Sequence, residues 1–274
     1  MASYPLALTI AGSDSGGCAG IQADLKTFSS LGVFGASVIT AITAQNTMGV
    51  VDVMAVPGSM VEKQLKAVLD DFDFDAIKIG MLFTTENVLA IKKLYKNNIP
   101  LVLDPVMIST SKNALILDGT VEAIIKELFP ISTIITPNLN EASVLLKRNI
   151  ETIDEMIEGA QEFISRYGAN AVLIKGGHLN GNEMVDVFLQ KGDKEATLLQ
   201  SNKIETKNTH GTGCTLSSAI AAYLAMGKDL ETSVIMAKDY ITKAILEGKD
   251  VKLGNGHGAV NHFYNPQKLI KRWK

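Results

Sequence analysis

A chain of 274 residues can bury a sizeable core as one large domain or two small ones, and 46% apolar with 20% charged residues is ordinary for a folded globular protein. This composition argues against a disordered or fibrous chain. The formal net charge is −3 and the basic residues are scattered, which predicts no surface for nucleic acid or anionic membranes and favours a small-molecule partner.

Short apolar runs of β-forming residues alternate with segments of helical periodicity along the first two thirds of the chain. The runs are apolar at successive positions, which indicates strands that helices cover on both faces of a mainly parallel sheet. The predicted strands are Leu6–Ala11, Ala36–Thr43, Ala76–Met81, Leu101–Asp104, Thr133–Thr136 and Ala171–Lys175. The predicted helices between them are Met60–Asp71, Glu86–Tyr95, Val121–Leu128 and Ile153–Tyr167.

The pattern changes between Met184 and Glu205, where extended runs flank a "KGDKE" turn and predict antiparallel strands at one edge of the sheet. Two further helices, Thr212–Met226 and Leu230–Leu246, are predicted to follow. No linker or low-complexity segment separates these parts of the chain. The sequence therefore predicts one α/β domain that spans residues 1–274.

The apolar runs also bear on the compartment of the protein. They are too short to cross a bilayer, and the segment "MASYPLALTIAGSDSGG" lacks the basic start and the cleavage pattern of a secretory signal. We therefore expect a cytoplasmic protein. Cys18 and Cys214 lie far apart in the sequence, and a single disulfide is unusual in a reducing compartment, so we expect two free thiols.

Ligands of such sheets bind outside the carboxyl ends of the parallel strands. Polar residues, glycines or methionines follow each predicted strand of the parallel sheet. The segments at these positions read "GSDSGGCAGIQAD", "AQN", "MLF", "DPVM", "PNLNEA" and "KGGH". We therefore expect a small-molecule site at this edge of the sheet.

The segment "NTHGTGCTLSSAIAA", residues 208–222, places two glycines and a cysteine at the start of a predicted helix. Gly211 and Gly213 allow close approach to a ligand, and the first amides of a helix lack intrahelical partners, which predicts an anion site. The same field would lower the pKa of the Cys214 thiol and favour a thiolate. Small residues that let a helix pack closely against a sheet explain the pattern equally well.

Seven motifs resemble, in order and spacing, those of the hydroxymethylpyrimidine and hydroxymethylpyrimidine phosphate kinases of thiamine biosynthesis, members of the ribokinase superfamily. The motifs are "AGSDSGGCAGIQADLKTF", "TAQNT", "KIGML", "DPVM", "TPNLNEA", "VLIKGGH" and "NTHGTGCTLSSAIAA". The resemblance continues through "GHGAVNHF" and departs at Cys18, where family members often carry alanine. It implies a ribokinase-like fold with a mainly parallel central sheet, flanking helices and antiparallel edge strands.

The resemblance implies transfer of the γ-phosphoryl group of ATP to the hydroxymethyl group of 4-amino-5-hydroxymethyl-2-methylpyrimidine, and then a second transfer to the resulting monophosphate. Fixed donors and a metal ion stabilise the charge of the transferred group. Gly211, Thr212, Gly213 and Cys214 would supply the amides. Cys214 also stands where other ribokinase relatives carry an aspartate base, so we expect its thiolate to take the hydroxyl proton. Alternatively, Cys214 only lines the anion site.

The resemblance also implies ATP and Mg²⁺ as cofactors. Asp104 and Glu141 would lie at Mg²⁺, with Asp104 acting through water because Mg²⁺ keeps much of its hydration. Asn138, Lys175 and Lys238 would lie at ATP. Other interpretations stay open: Asp104 ends a strand in a turn, Asn138 and Glu141 form a helix-capping pair, and Lys238 extends along an apolar surface.

For the pyrimidine ring, the resemblance implies Gly12, Asp24, Gln45, Met81 and Val106. Gln45 offers a donor and an acceptor, which suit the ring nitrogen and exocyclic amine of an aminopyrimidine. Met81 and Val106 would cover the faces of the ring. A methionine at the end of a strand is more often part of the core, so the assignment of Met81 depends mainly on the resemblance.

Other functions stay open at this point. A pyridoxal kinase would share the fold, the ATP site and the thiol. A thiol hydrolase or transferase would use Cys214 as a nucleophile oriented by His210, which leaves "DPVM", "TPNLNEA" and "KGGH" unexplained. A non-catalytic module would be expected to have lost the glycine loop. The sequence also leaves a homodimer open.

The four histidines carry no assigned chemistry. His178 and His210 have no second ligand at a typical metal-site spacing in the sequence, and both are predicted to be loop histidines. His257 and His262, in "GHGAVNHF", are predicted to be structural.

Overall fold

The computed structural model describes residues 2–96, 98–107, 117–177 and 183–273. Its strands are β1 (Ala2–Ser3), β2 (Leu6–Asp14), β3 (Phe34–Asn46), β4 (Gly49–Ala55), β5 (Ala76–Ile79), β6 (Leu101–Leu103), β7 (Ile134–Ile135), β8 (Ala171–Ile174), β9 (Glu183–Gln190), β10 (Thr197–Asn202) and β11 (Arg272–Trp273). Its α-helices are α1 (Gly20–Ser30), α2 (Gly58–Leu69), α3 (Thr85–Leu94), α4 (Thr120–Ala123), α5 (Leu139–Leu146), α6 (Ile153–Ser165), α7 (Thr212–Ala225) and α8 (Leu230–Gly248). A π-helical turn (Ile124–Leu128) and a 3₁₀ turn (Phe129–Ile131) continue α4.

Nine strands form one sheet in the order β10-β9-β8-β7-β6-β5-β2-β3-β4. The six strands from β8 to β3 in that order are parallel, whereas β4 at one edge and β9 with β10 at the other are antiparallel. Short strands β1 and β11 pair separately. The parallel centre and the β9–β10 hairpin agree with the sequence-based predictions. The second edge strand, β4, is a difference from them.

Two apolar cores lie on opposite faces of the sheet, because successive residues of a strand point to opposite sides. Leu101 and Leu103 of β6 pack with α2, α3, α5 and α6, while Val102 between them packs with α1, α7 and α8. Residues 215–223 of α7 are all buried, since this helix contacts the sheet as well as α1 and α8. Burial on both faces explains why the strands read as unbroken apolar runs.

Helix α1 is a second difference from the sequence-based predictions. It begins at Gly20, directly after the glycine-rich segment, and its inward face carries the polar residues Asp24 and Thr27 beside Phe28. These polar residues disrupt the apolar periodicity from which a helix is predicted. Within the described ranges, no helix combines the length and the apolar composition that a bilayer span requires.

Candidate active site

A cavity of about 780 Å³ opens at the carboxyl ends of the parallel strands and continues along the start of α7. The loops after β2, β5, β6 and β8 all contribute to its lining. Of the predicted site residues, those that line it are Gly12, Gln45, Met81, Asp104, Val106, Asn138, Glu141, Lys175, Gly211, Thr212, Gly213, Cys214 and Lys238. The fold therefore brings into one cavity residues that are up to 226 positions apart, from Gly12 to Lys238.

The glycine loop begins α7 as the sequence predicts. Gly211 is the N-cap, with φ at 82°, and a Cβ at this position would overlap the carbonyl oxygen of Cys18. The next residues form the first turn of the 14-residue helix, whose amides point out of its amino end with the positive end of the dipole behind them. A Cβ at Gly213 would lie 3.3 Å from the Lys175 ammonium. Amides and a cation therefore converge on the same part of the cavity.

Lys175, Asp104 and Glu141 form a buried charged cluster beside this loop. The Nζ atom of Lys175 lies 2.8 Å from Asp104 Oδ1 and 4.0 Å from Glu141 Oε2. Burial disfavours the Lys175 ammonium, but the two carboxylates outweigh it and raise its pKa. Burial raises the pKa of Glu141 to about 7, with Asp104 acting in the same direction and Lys175 opposing it. The cluster therefore holds one cation between two acidic groups.

Two further hydroxyls complete the contacts of Asp104. The Thr136 hydroxyl donates to Oδ1 at 3.2 Å and the Ser217 hydroxyl lies 3.3 Å from Oδ2. Oδ1 therefore accepts from Lys175 and Thr136, whereas the single Ser217 proton is also within reach of the nearer carbonyls of Gly213 and Cys214, at 3.0 and 3.1 Å. An ion that approached Asp104 would meet these contacts first, and a water molecule between the ion and the carboxylate would preserve them.

The capping interpretation of Asn138 and Glu141 is confirmed. Asn138 Oδ1 accepts from the Glu141 amide at 2.8 Å, and Glu141 Oε2 accepts from the Asn138 amide at the same distance, which caps α5. This arrangement fixes both side chains at the cavity wall. Capping and a role at a ligand are compatible here, because the capped Glu141 carboxylate still faces Lys175.

Lys238 reaches the cavity from α8 and pairs with a residue that the sequence analysis does not identify. Its ammonium lies 2.7 Å from Asp186 Oδ2, and Asp186 Oδ1 accepts from the Gly176 amide at 2.9 Å. Asp186 lines the cavity and is buried. The apolar and acidic alternation of β9 gives no hint that this one aspartate would meet a lysine from α8.

The structure corrects the assignment of Asp24 to the substrate. Asp24 is fully buried and lies outside the lining of the cavity within the described part of the chain. Its Oδ2 atom accepts from Thr9 at 2.6 Å and its Oδ1 atom from Ser218 at 2.6 Å, while the Lys78 ammonium lies 2.9 Å from each oxygen. These partners occupy the carboxylate and Asp24 presents no surface to the cavity, so we expect it to support the floor of the site rather than to bind the substrate.

Lys78 is a site residue that the sequence analysis missed. It lies in β5 with no exposed surface and borders the floor of the cavity. Gly80 leaves room for its ammonium, since a Cβ at this glycine would lie 2.9 Å from the Nζ atom. Burial disfavours its charge, but Asp24, Cys214 and Asp104 outweigh burial and hold its pKa above the usual range. The available signal was a lysine inside the otherwise apolar run "AIKIG".

The surroundings of Cys214 disfavour the thiolate that the sequence suggests. Burial raises the pKa of this thiol to about 11, and the carboxylates of Asp24 and Asp104 add to the effect. The Lys78 ammonium and the Gly20 amide favour the thiolate but do not offset burial. These surroundings favour the neutral thiol near pH 7. Both cysteines are free, as the sequence predicts.

The other end of the cavity is less charged. A Cβ at Gly12 would lie 3.1 Å from the sulfur of Met81, so this glycine leaves room beside the methionine. Met81 and Val106 belong to one small apolar cluster. The Gln45 amide nitrogen lies 3.0 Å from Nε2 of His210, and the Gln45 carbonyl lies 3.2 Å from the Thr43 hydroxyl. This end combines apolar surface with one oriented amide group.

The three described histidines lie in different surroundings. His210 is buried and lines the cavity, and burial lowers its pKa. His257 is exposed, with its Nδ1 atom 3.1 Å from the Lys207 carbonyl, and His262 is buried 3.0 Å from the Thr215 hydroxyl. Both contacts are structural. His178 lies outside the described residues.

Comparison with known proteins identifies the family. The profile of the phosphomethylpyrimidine kinase family matches residues 14–261. This chain belongs to that family. It is 50% identical over 260 residues to the hydroxymethylpyrimidine/phosphomethylpyrimidine kinase of Rhizobium meliloti, which covers 94% of this chain and 97% of that one.

Solved structures of such kinases have the same fold. A phosphomethylpyrimidine kinase from Clostridium difficile superposes with a TM-score of 0.75 at 44% identity, over 88% of this chain and 99% of that one. A pyridoxal kinase from Staphylococcus aureus in complex with AMP-PCP and pyridoxal superposes with a TM-score of 0.85 at 36% identity, over 97% and 96%. The predicted ribokinase-like fold is confirmed, and this member of the phosphomethylpyrimidine kinase family is a kinase.

Proposed function

We propose that this kinase transfers the γ-phosphoryl group of ATP to the hydroxymethyl group of 4-amino-5-hydroxymethyl-2-methylpyrimidine, and then to the resulting monophosphate, for thiamine biosynthesis. One observation carries the proposal. A single cavity joins the amino end of α7 and the Lys175 ammonium to an end lined by Gln45, Met81 and Val106. A phosphoryl donor and a small aromatic acceptor can therefore meet in it.

The charged end suits the phosphates of ATP. The amides of Gly213 and Cys214 and the ammonium of Lys175 are fixed before the reaction, so they stabilise the charge of the transferred group without reorganising. The Thr212 amide donates to the Thr209 carbonyl at 3.3 Å and would join them only by leaving it. Asn138 and Lys238 line the same cavity and would contact the rest of the nucleotide. Asp186 would orient Lys238 through their ion pair.

The donor set of this end fits Mg²⁺. Asp104 and Glu141 offer carboxylate oxygens, which are the ligands that Mg²⁺ prefers. Because Asp104 Oδ1 already accepts hydrogen bonds from Lys175 and Thr136, we propose that this carboxylate holds Mg²⁺ through water, with Glu141 as the second acidic group. When bound, Mg²⁺ neutralises the charge of the phosphates.

The neutral thiol of Cys214 changes its proposed role. Forming a thiolate near pH 7 from a thiol of pKa about 11 would cost roughly 5 kcal/mol, which offsets about the largest contribution that a general base usually makes. Phosphoryl transfer through a loose transition state needs little prior deprotonation of the acceptor. We therefore propose that Cys214 contributes its amide and packs its sulfur beside the acceptor, and that the amides and Lys175 supply most of the catalysis.

The apolar end suits an aminopyrimidine. Met81 and Val106 would cover the faces of the ring, in the space that Gly12 leaves beside Met81. The Gln45 amide, oriented by Thr43 and His210, would pair with the ring nitrogen and the exocyclic amine. Removing this amide would then weaken binding of the pyrimidine and leave binding of ATP unchanged.

The test is product formation from ATP, followed by mass, with the hydroxymethylpyrimidine and with pyridoxal supplied in separate reactions. We expect monophosphate and then diphosphate from the pyrimidine. Product from pyridoxal alone would contradict the proposal and favour the second candidate, a pyridoxal kinase. That candidate is supported by the similarity to the Staphylococcus aureus pyridoxal kinase over 97% of this chain.

We also propose a cytoplasmic homodimer. Two free thiols suit a reducing compartment, and the β3–β4 edge exposes apolar side chains, with Val51 81%, Met48 67% and Met54 61% exposed. Sedimentation equilibrium should give twice the chain mass. A monomer at all concentrations would exclude the dimer.

A further inference from the structure

Two loops at the mouth of the cavity bring together three side chains that commonly bind metal ions. Asp14 ends β2, Cys18 follows in the glycine-rich loop, and His210 precedes the start of α7. One ligand atom from each lies within 4.8 Å of the other two, and all three side chains are buried, with exposures of 3%, 1% and 7%. His210 lies far from the other two in the sequence, so spacing alone could not identify the cluster.

We propose that Asp14, Cys18 and His210 bind one Zn²⁺ ion. A thiolate, an imidazole and a carboxylate together suit a cation of intermediate softness and fit three of the four tetrahedral positions of Zn²⁺. Because Asp14 and His210 line the cavity, water or a ligand in the cavity would supply the fourth ligand. On binding, the Cys18 thiol forms a bond to the metal through sulfur and releases its proton to solvent.

The surroundings already orient two of the three ligands. Asp14 Oδ1 accepts from the Gly16 amide at 2.8 Å, and Oδ2 accepts from the amides of Cys18 and Ala19 at 3.0 and 2.8 Å. The His210 amide donates to the Gly258 carbonyl at 3.0 Å, and Gln45 contacts the ring at Nε2. Such outer contacts fix the direction of a ligand and raise its affinity for metal.

The charge balance of the cluster also favours a divalent cation. The carboxylate and the bound thiolate together offset its two positive charges. Lys26 also lies at this loop, where its Nζ atom donates to the Gly17 carbonyl at 2.8 Å. Its charge opposes binding but lies on the Gly17 side, so we expect it to weaken the site without blocking it.

This site is distinct from the proposed Mg²⁺ site. Asp104 and Glu141 offer only oxygen atoms beside Lys175, whereas the new cluster adds sulfur and nitrogen. Mg²⁺ prefers oxygen ligands and Zn²⁺ accepts all three types. An excess of Mg²⁺ therefore occupies the oxygen site and leaves the mixed site to Zn²⁺.

The test is metal binding to the full chain, after chelation and dialysis, in an excess of Mg²⁺. Equilibrium dialysis with Zn²⁺ should show one ion per chain, and Co²⁺ used as a spectroscopic probe should show a thiolate-to-metal absorption band. Cys18→Ala should remove the band and weaken Zn²⁺ binding at least tenfold. The matched variant Cys214→Ala should retain both, because that thiol lies outside the cluster.

Three outcomes would overturn the proposal. They are the absence of stoichiometric Zn²⁺, equal binding by Cys18→Ala, and a Co²⁺ band that is lost with Cys214 rather than with Cys18. Circular dichroism and thermal unfolding establish that each variant is folded. His210→Gln provides a second variant, and it should weaken Zn²⁺ binding while leaving the Co²⁺–thiolate band in place at high metal concentration.

Discussion

The protonation of Cys214 can be measured directly, because the chain has only two cysteines. In a Cys18→Ala background, alkylation by iodoacetamide reports on Cys214 alone, and its rate follows the thiolate fraction. The pKa of about 11 lies two units above the ordinary value of 9.0, which corresponds to about 3 kcal/mol against ionisation. At about pH 8 the thiolate fraction should therefore be roughly one hundredth of that of a free thiol.

The pH at which the alkylation rate is half its maximum gives the pKa independently of how easily the reagent enters. The same protein in denaturant should return to the ordinary value, which controls for the reagent. Lys78→Met should move the midpoint further up, because it removes the cation that favours the thiolate. A folded-state midpoint at or below that of the denatured chain would refute the reasoning and restore the thiolate base that the sequence suggests.

Four other changes test the site. Lys78→Met should lower the free energy of unfolding by about 3 kcal/mol in urea titrations, because it leaves the Asp24 carboxylate buried without its cation. Adding Asp24→Asn should recover much of the loss, and equal stability of the single and double variants would contradict this. Gln45→Ala should raise the KM for the pyrimidine roughly tenfold, since one hydrogen-bonding group contributes about 1.4 kcal/mol, and should leave the KM for ATP unchanged. Equal effects on the two KM values in steady-state kinetics would exclude Gln45 from the substrate site. Gly213→Val should lower kcat by a factor of about 100 or more by covering the amides, and an active, folded variant would make the loop only structural. The pKa of Glu141 is raised from 4.5 to about 7, so the folded state binds more protons than the unfolded state between these pH values. The free energy of unfolding should therefore fall by up to about 3 kcal/mol as the pH rises from 4.5 to 7. Glu141→Gln should lack this slope in urea titrations.

Much of the fold could be predicted because burial on both faces leaves a direct mark on a strand. Val172 and Leu173 face opposite cores, so both must be apolar, and the run "AVLI" predicts β8. The pattern fails where one face is polar. The inward face of α1 carries Asp24 among apolar residues, whereas β4 is an apolar run, interrupted by Asp52, that lies at an exposed edge of the sheet.

The sequence predicts most of the residues that line the cavity, but it does not predict their protonation states. Residues at the ends of parallel strands must meet at one edge, which is why Gln45, Asp104 and Lys175 line one cavity. The pKa of Cys214 depends on burial and on the carboxylates of Asp24 and Asp104, which belong to other parts of the fold. The sequence shows only that Cys214 lies at the start of a helix. The same holds for Asp24, because the sequence does not show which face of α1 turns inward.

At two glycines near the cavity, one segment of backbone packs directly against another. A Cβ at Gly211 would overlap the Cys18 carbonyl, and a Cβ at Gly176 would overlap the Val185 carbonyl. Because each obstacle is main chain, no residue type at position 18 or 185 can make room. A saturation mutational scan should find both glycines intolerant of all other amino acids, and second-site suppressors at the partner positions should not arise.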